Sequence, residues 1–132
     1  MSQATGGFVG KILIIDLTNQ TAETIDSEPY QQWGGGHGMG SALFWDYCED
    51  KTVGPFDEGN VVTVCANPFS GTPVPSASAR VEIQGIGSFA DPEWFTRSSM
   101  GGRIAGMIKA AGYDAYVIKG KAPEKTWINI VN

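Results

Sequence analysis

The chain has 132 residues, about the size of one domain and long enough to bury a real core. A hydrophobic fraction of 42% supports folding, and 18 glycines without a repeating period exclude a fibrous protein. A formal net charge of -5 and the lack of any Lys/Arg run argue against nucleic acid or an anionic membrane as partner. The start, MSQATGGFVG, is polar with no basic stretch, and the longest aliphatic run, ILII, is far too short to span a bilayer. We therefore expect a soluble, cytoplasmic protein with no membrane span.

In chain order, Phe8 to Leu17 reads as a strand and Thr21 to Ile25 as its hairpin partner across Thr18, Asn19 and Gln20. Ser27, Glu28 and Pro29 read as the cap and first two positions of a short helix through Gln32. GGGHGMG follows. From Gly38, the spacing of Met39, Ala42, Leu43 and Tyr47 predicts a helix that ends near Cys48. Val61 to Ala66 is a β-branched run suited to a buried strand. The proline-rich loop NPFSGTPVPSASAR leads into the alternating VEIQGIG, with Val81 and Ile83 on one face, and Trp94 to Thr96 reads as a further strand. A helix from Gly102 to Ala111 places Ile104, Met107, Ile108 and Ala111 on one core-facing stripe, closed by Gly112. Ala115 to Ile118 and Trp127 to Val131 are the last expected strands, joined by the solvated turn KGKAPEK. These elements predict an α+β fold: a β-rich mixed sheet with two to three short helices, in a single domain over residues 1–132.

The chemistry-bearing candidates concentrate between Arg80 and Asp114. SSMGG running straight into a helix reads as a turn whose free amides, with the helix dipole, would favour an anion. Arg80, at the junction of loop and strand, offers a planar fork of donors suited to phosphate, and the bland alternative is a surface ion pair. Arg97 and Arg103 flank the SSMGG turn and compete for the same role. GGGHGMG lacks the Lys-Ser/Thr of a phosphate loop and the spacing of a dinucleotide fingerprint, so a glycine hinge for close packing is an equal reading. His37 within it is either a ligand donor or a solvated loop residue. Cys48 and Cys65 read as buried free thiols, and one histidine cannot build a usual zinc site. Asp57, Glu58, Asp91 and Glu93 read as solvated, and no nucleophile-base arrangement is visible.

Four blocks in order, GKILIIDLT at 10–18, WGGGHG at 33–38, NPFSGTPVPSASAR at 67–80 and MGGRIAGMIKAAGYDAYVIKGKA at 100–122, resemble the N-terminal domain of the aldehyde ferredoxin oxidoreductase family. The likeness covers nearly the whole chain. It implies roughly the first half to two-thirds of that domain, a β-rich base under two pterins. Members of the family hold tungsten, or sometimes molybdenum, through pterin dithiolenes beside a [4Fe-4S] cluster. They oxidise aldehydes to acids with ferredoxin as acceptor, or run related low-potential electron transfer.

By that resemblance, Arg80 matches an arginine on a pterin phosphate, and Ser99 falls where a backbone carbonyl helps to hold magnesium between phosphates. Gly101 and its neighbour Gly102 lie where backbone approaches the pterin. Many members carry Asn at the Ser99 position, and some carry Arg at that of His37. The family's cluster cysteines and catalytic acids are expected in a larger catalytic subunit or in downstream domains, which makes this chain a split subunit or a fragment, not competent alone. A non-catalytic assembly module, or a free-standing binder of another phosphate ligand, are the rival readings.

Overall fold

The computed structural model describes residues 6–131, so the polar start MSQAT lies outside the described residues. Six strands form one mixed sheet: β1 (Lys11–Asp16), β2 (Thr21–Asp26), β3 (Val61–Cys65), β4 (Val81–Gly87), β5 (Trp94–Met100) and β6 (Ala115–Lys119), in the order β2-β1-β6-β3-β4-β5. β1 runs parallel to β6 and every other neighbouring pair is antiparallel. Helices α1 (Glu28–Gln31), α2 (His37–Tyr47) and α3 (Ile104–Ala110) complete an α+β architecture, as the sequence predicts. No helix among the described residues is long and apolar enough to cross a membrane.

Strand alternation divides the core between the two faces of the sheet. On one face Ile12, Ile14, Val61, Cys65, Ala115 and Val117 pack under Met39, Leu43 and Phe44 of α2. On the other, Val81 and the half-buried Val64 and Tyr116 pack against Ala105 and Ile108 of α3. The glycine block before α2 serves the hinge reading. A Cβ on Gly38 would lie 2.0 Å from the Trp33 carbonyl oxygen, one on Gly35 2.8 Å from Asn67 Cα, and one on Gly40 2.7 Å from Gln84 Nε2. Only glycine lets the helix start come this close to strands β3 and β4.

Several boundaries differ from the sequence expectation, each for a local physical reason. β1 starts at Lys11 because Gly10 is left-handed (φ 98°) and the Val9 and Gly10 amides turn to the Asp114 carboxylate, at 2.8 Å each. Ser27 occupies the cap position of α1 without capping it, since its hydroxyl donates to Asp114 at 2.7 Å instead. The expected SSMGG turn shrinks to Gly101-Gly102: pairing of Ile83, Glu82 and Val81 with Ser98, Ser99 and Met100 draws those residues into β5. Ladder formation outweighs the turn preference of serine.

The stripe expected on α3 is rotated. Ala105 and Ile108 are buried, whereas Ile104 and Met107 are 36% and 62% exposed. The small face, Ala105 with Gly106 set against Gly71 of the long loop, brings the helix close to its neighbours, and the larger side chains are left outside. Gly112 does close the helix, with φ 89° and its amide bonded to the Lys109 carbonyl at 3.0 Å. Trp127 to Val131 is not a strand here, because no described strand pairs with it.

Candidate functional site

The loop from Asn67 to Arg80 is fixed from within. Asn67 Nδ2 donates to the carbonyls of Ala77 (3.2 Å) and Arg80 (3.3 Å), and the Gly71 amide reaches the Ser78 carbonyl at 3.1 Å. Such bonds order a segment otherwise made of small residues and prolines, and they deliver Arg80 to the start of β4. Arg80 Nη1 donates to Ser99 Oγ at 3.3 Å, so the structure brings together two residues that lie 19 apart in sequence. Arg80 is exposed and makes no ion pair with a described residue.

Register places the neighbours of this pair. Ser99 lies opposite Glu82 and Arg97 opposite Gln84, and cross-strand partners share a face. That face is the one under α2, where Phe95 meets Phe44 with ring centroids 4.6 Å apart. Arg97 Nη1 bonds Glu82 Oε2 at 3.2 Å, so Arg97, a rival of Arg80 in the sequence, has its charge largely matched. β5 is an edge strand, so part of its backbone carbonyls and amides stay outside the ladder. Gly101 and Gly102 follow at its exit, both exposed, with no atom within 4 Å of a Cβ at either position. Gly102 takes φ 95°, which favours glycine. Arg103 is exposed and occupies the cap position of α3, a residue earlier than a place inside the helix, and its side chain does not cap it.

His37 opens α2 with an exposed ring. Its backbone is held firmly: the His37 carbonyl accepts from Gln84 Nε2 and from Ser41 Oγ, each at 2.9 Å. The buried Gln84 thus ties the start of α2 to β4, one register step from Ser99 on the same face. Cys48 and Cys65 are buried free thiols, as expected, and burial raises both thiols above their ordinary value, Cys65 the more strongly. Asp57, Glu58, Asp91 and Glu93 are exposed, and no cluster of His, Cys, Asp and Glu suited to a metal occurs among the described residues.

Sequence reasoning missed the polar centre behind this edge. Asp114 is 1% exposed and accepts from the Val9 and Gly10 amides, from Ser27 Oγ and from Lys109 Nζ at 2.5 Å. Burial acts to raise its pKa, but the bonds from Lys109, Val9, Ser27 and Gly10 outweigh burial and hold the carboxyl below its ordinary value. Lys109 Nζ also donates to the Gly7 carbonyl at 2.7 Å and lies 5.6 Å from the Phe8 ring centre. One carboxylate therefore joins the N-terminal segment, the end of β2, α3 and the start of β6. The available signal was an acid directly before the apolar strand AYVIK, where a charge survives burial only with several partners.

An α+β domain, with a mixed sheet between helices and, beside a glycine exit on its edge, an arginine that makes no ion pair among the described residues, is the class of molecule these observations define. The family model described as "Aldehyde ferredoxin oxidoreductase, N-terminal domain" matches residues 12–132, and the chain belongs to this family. It is similar to a tungsten-containing aldehyde ferredoxin oxidoreductase of Pyrococcus furiosus, 31% identical over 123 residues, covering 92% of this chain and 20% of the relative. The corresponding enzyme of Pyrococcus abyssi is 29% identical over 126 residues, covering 94% and 20%. A P. furiosus protein named "Aliphatic sulfonate oxidoreductase, WOR-like subunit" is 25% identical over 127 residues, covering 93% and 20%. Among solved structures, the BamBC active-site complex of benzoyl coenzyme A reductase aligns with a TM-score of 0.79 at 29% identity, over 89% of this chain and 18% of that one. The chain thus spans about one fifth of the length of the curated relatives it matches.

Proposed function

We propose that this chain is a cofactor platform, as subunit or domain, of a tungsten or molybdenum bis-pterin oxidoreductase. Residues 1–132 form one domain in this reading, roughly the first half to two-thirds of the family's N-terminal domain. The observation that carries it is Arg80: an exposed guanidinium with no carboxylate partner among the described residues, steadied by Ser99 Oγ at 3.3 Å, next to the open backbone of Gly101 and Gly102. The donor set fits an anion, because guanidinium N–H groups, a hydroxyl and glycine amides all complement phosphate oxygens. Arg80 would hold a pterin phosphate. The Ser99 carbonyl, on an edge strand, would take magnesium beside it. Gly101 and Gly102 would let the backbone come close to the ligand without a Cβ in the way.

When bound, the metal and its pterins supply the redox chemistry, aldehyde to carboxylic acid with ferredoxin as acceptor or a related low-potential reaction. The residues of this chain contribute binding and orientation. The [4Fe-4S] cluster, the acid-base groups and substrate selection belong to a larger catalytic subunit or to downstream domains, in keeping with the one-fifth coverage. The platform is thus no catalyst by itself, and a cytoplasmic setting suits its ferredoxin partner. The test is metal analysis of the assembled enzyme: Arg80→Ala should lower tungsten or molybdenum occupancy at least about tenfold, with partial recovery in Arg80→Lys. Unchanged occupancy in Arg80→Ala would reject the role given to this residue.

A further inference from the structure

Glu82 stands between two arginines. It lies opposite Ser99, with Gln84 opposite Arg97, on the face of the sheet under α2, and Arg80, two residues before Glu82, reaches that face to bond Ser99 Oγ. The two contacts run side by side across the ladder, Arg80 to Ser99 at 3.3 Å and Arg97 to Glu82 at 3.2 Å. Residues two apart on a strand are about 6.7 Å apart, and diagonal cross-strand neighbours about 7–8 Å. Either arginine is therefore within side-chain reach of the Glu82 carboxylate, yet Glu82 takes Arg97 and leaves Arg80 to a hydroxyl. Glu82 is not free to turn into water. Its side chain is only 16% exposed, and its Cγ lies 3.6 Å from the place of a Cβ on Gly36, beneath the start of α2. A carboxylate held in this way needs a cationic partner.

We propose that Arg97 is a positioning residue for the anion seat: by occupying Glu82 it keeps the Arg80 guanidinium free to take a phosphate. The inference rests on the platform reading of Arg80. Two arginines and one glutamate carry one surplus positive charge on this face, and the pairing decides which arginine keeps it. Without Arg97, the arginine left to Glu82 here is Arg80. A pair between them would cover the planar donor fork and set a negative charge where the phosphate has to come, since carboxylate and phosphate compete for the same N–H groups. Arg97 itself is 57% exposed, so its bond to Glu82 adds little to stability. Its worth lies in what it keeps Glu82 from doing.

Metal content of the assembled enzyme, with the Tm of each variant measured alongside, tests the proposal. Arg97→Ala should lower tungsten or molybdenum occupancy about threefold, the scale on which one exposed ion pair can compete, with Tm within about 1 °C of the parent. Arg97→Lys keeps the charge and should recover most of the loss. The deciding variant is Glu82→Gln/Arg97→Ala: with the competing carboxylate gone, occupancy should return to within about 1.5-fold of the parent. Glu82→Gln alone should leave occupancy at or above that of the parent. A loss in Arg97→Ala that persists in the double variant would overturn the proposal, because Arg97 would then act on the ligand or the fold directly. Unchanged occupancy in Arg97→Ala would also overturn it, and with Arg80→Ala still lowering occupancy the platform reading would stand. Unchanged occupancy in Arg80→Ala would overturn both.

Discussion

Replacing Asp114 with alanine should cost this domain a large part of its stability. The carboxylate is 1% exposed and accepts four hydrogen bonds, three of them at 2.7–2.8 Å and the fourth from an ammonium whose side chain is only 10% exposed. Removing it strands the Lys109 charge in a dry site and leaves two backbone amides without their acceptor. Breaking one partner of a buried pair costs about 3–5 kcal/mol, and bonds to charged groups about 1.5–3 kcal/mol each, but they share one acceptor and do not sum. We take about 3–5 kcal/mol as the expected loss, on the order of 10–20 °C in Tm for a domain of this length. Urea and thermal unfolding followed by circular dichroism measure it. The double variant Asp114→Ala/Lys109→Met should recover at least about 1 kcal/mol, because it removes the stranded charge as well. A single variant within about 1 kcal/mol of the parent, or strictly additive losses, would refute the claim that this carboxylate organises four segments.

The same group sets an acid limit. Its pKa is lowered in the folded state from 3.8, so its stabilisation is present above the ordinary carboxylate range and is lost as pH falls through the lower folded value. Unfolding free energy measured from about pH 5 to pH 2 should fall, and Asp114→Asn should flatten that slope. Gly38→Ala should destabilise by about 2 kcal/mol or more, because its Cβ would meet the Trp33 carbonyl oxygen at 2.0 Å. Gly101→Ala, with open space around it, should leave Tm within about 1 °C of the parent in the same scan. Cys48 and Cys65 are buried with raised thiol pKa values, so thiol reagents at neutral pH should label the folded chain far more slowly than the urea-unfolded chain.

The parts of the fold that depend on local pattern were legible in the sequence. The ILII and VVTVC runs, the extent of α2 and the Gly112 stop follow from side-chain period and glycine conformation and appear in the structure. On α2, Met39 and Leu43 are buried as expected, but Phe44, not Ala42, joins them. What pairing decides was not legible. Ser98 and Ser99 look like turn residues until β4 lies beside them, and the 127–131 pattern looks like a strand until no neighbour is found. The rotation of α3 escaped periodicity because Ala105 and Gly106 are small: their value lies in close approach, which hydrophobic spacing does not register. Arg80 stood out by its guanidinium at the junction of loop and strand, Ser99 came from the family resemblance, and the structure places them within hydrogen-bonding reach. Asp114 lies within the 100–122 block, but its role needs partners from residues 9, 10, 27 and 109 that only the fold assembles.

The central claim, that this edge seats a pterin phosphate, is tested most directly by a crystal structure of the assembled, metal-loaded enzyme. The account predicts phosphate oxygens within about 3.2 Å of the Arg80 guanidinium, with the Ser99 carbonyl facing a magnesium ion. A loaded enzyme in which the pterin phosphates lie elsewhere and Arg80 still reaches only Ser99 would contradict it.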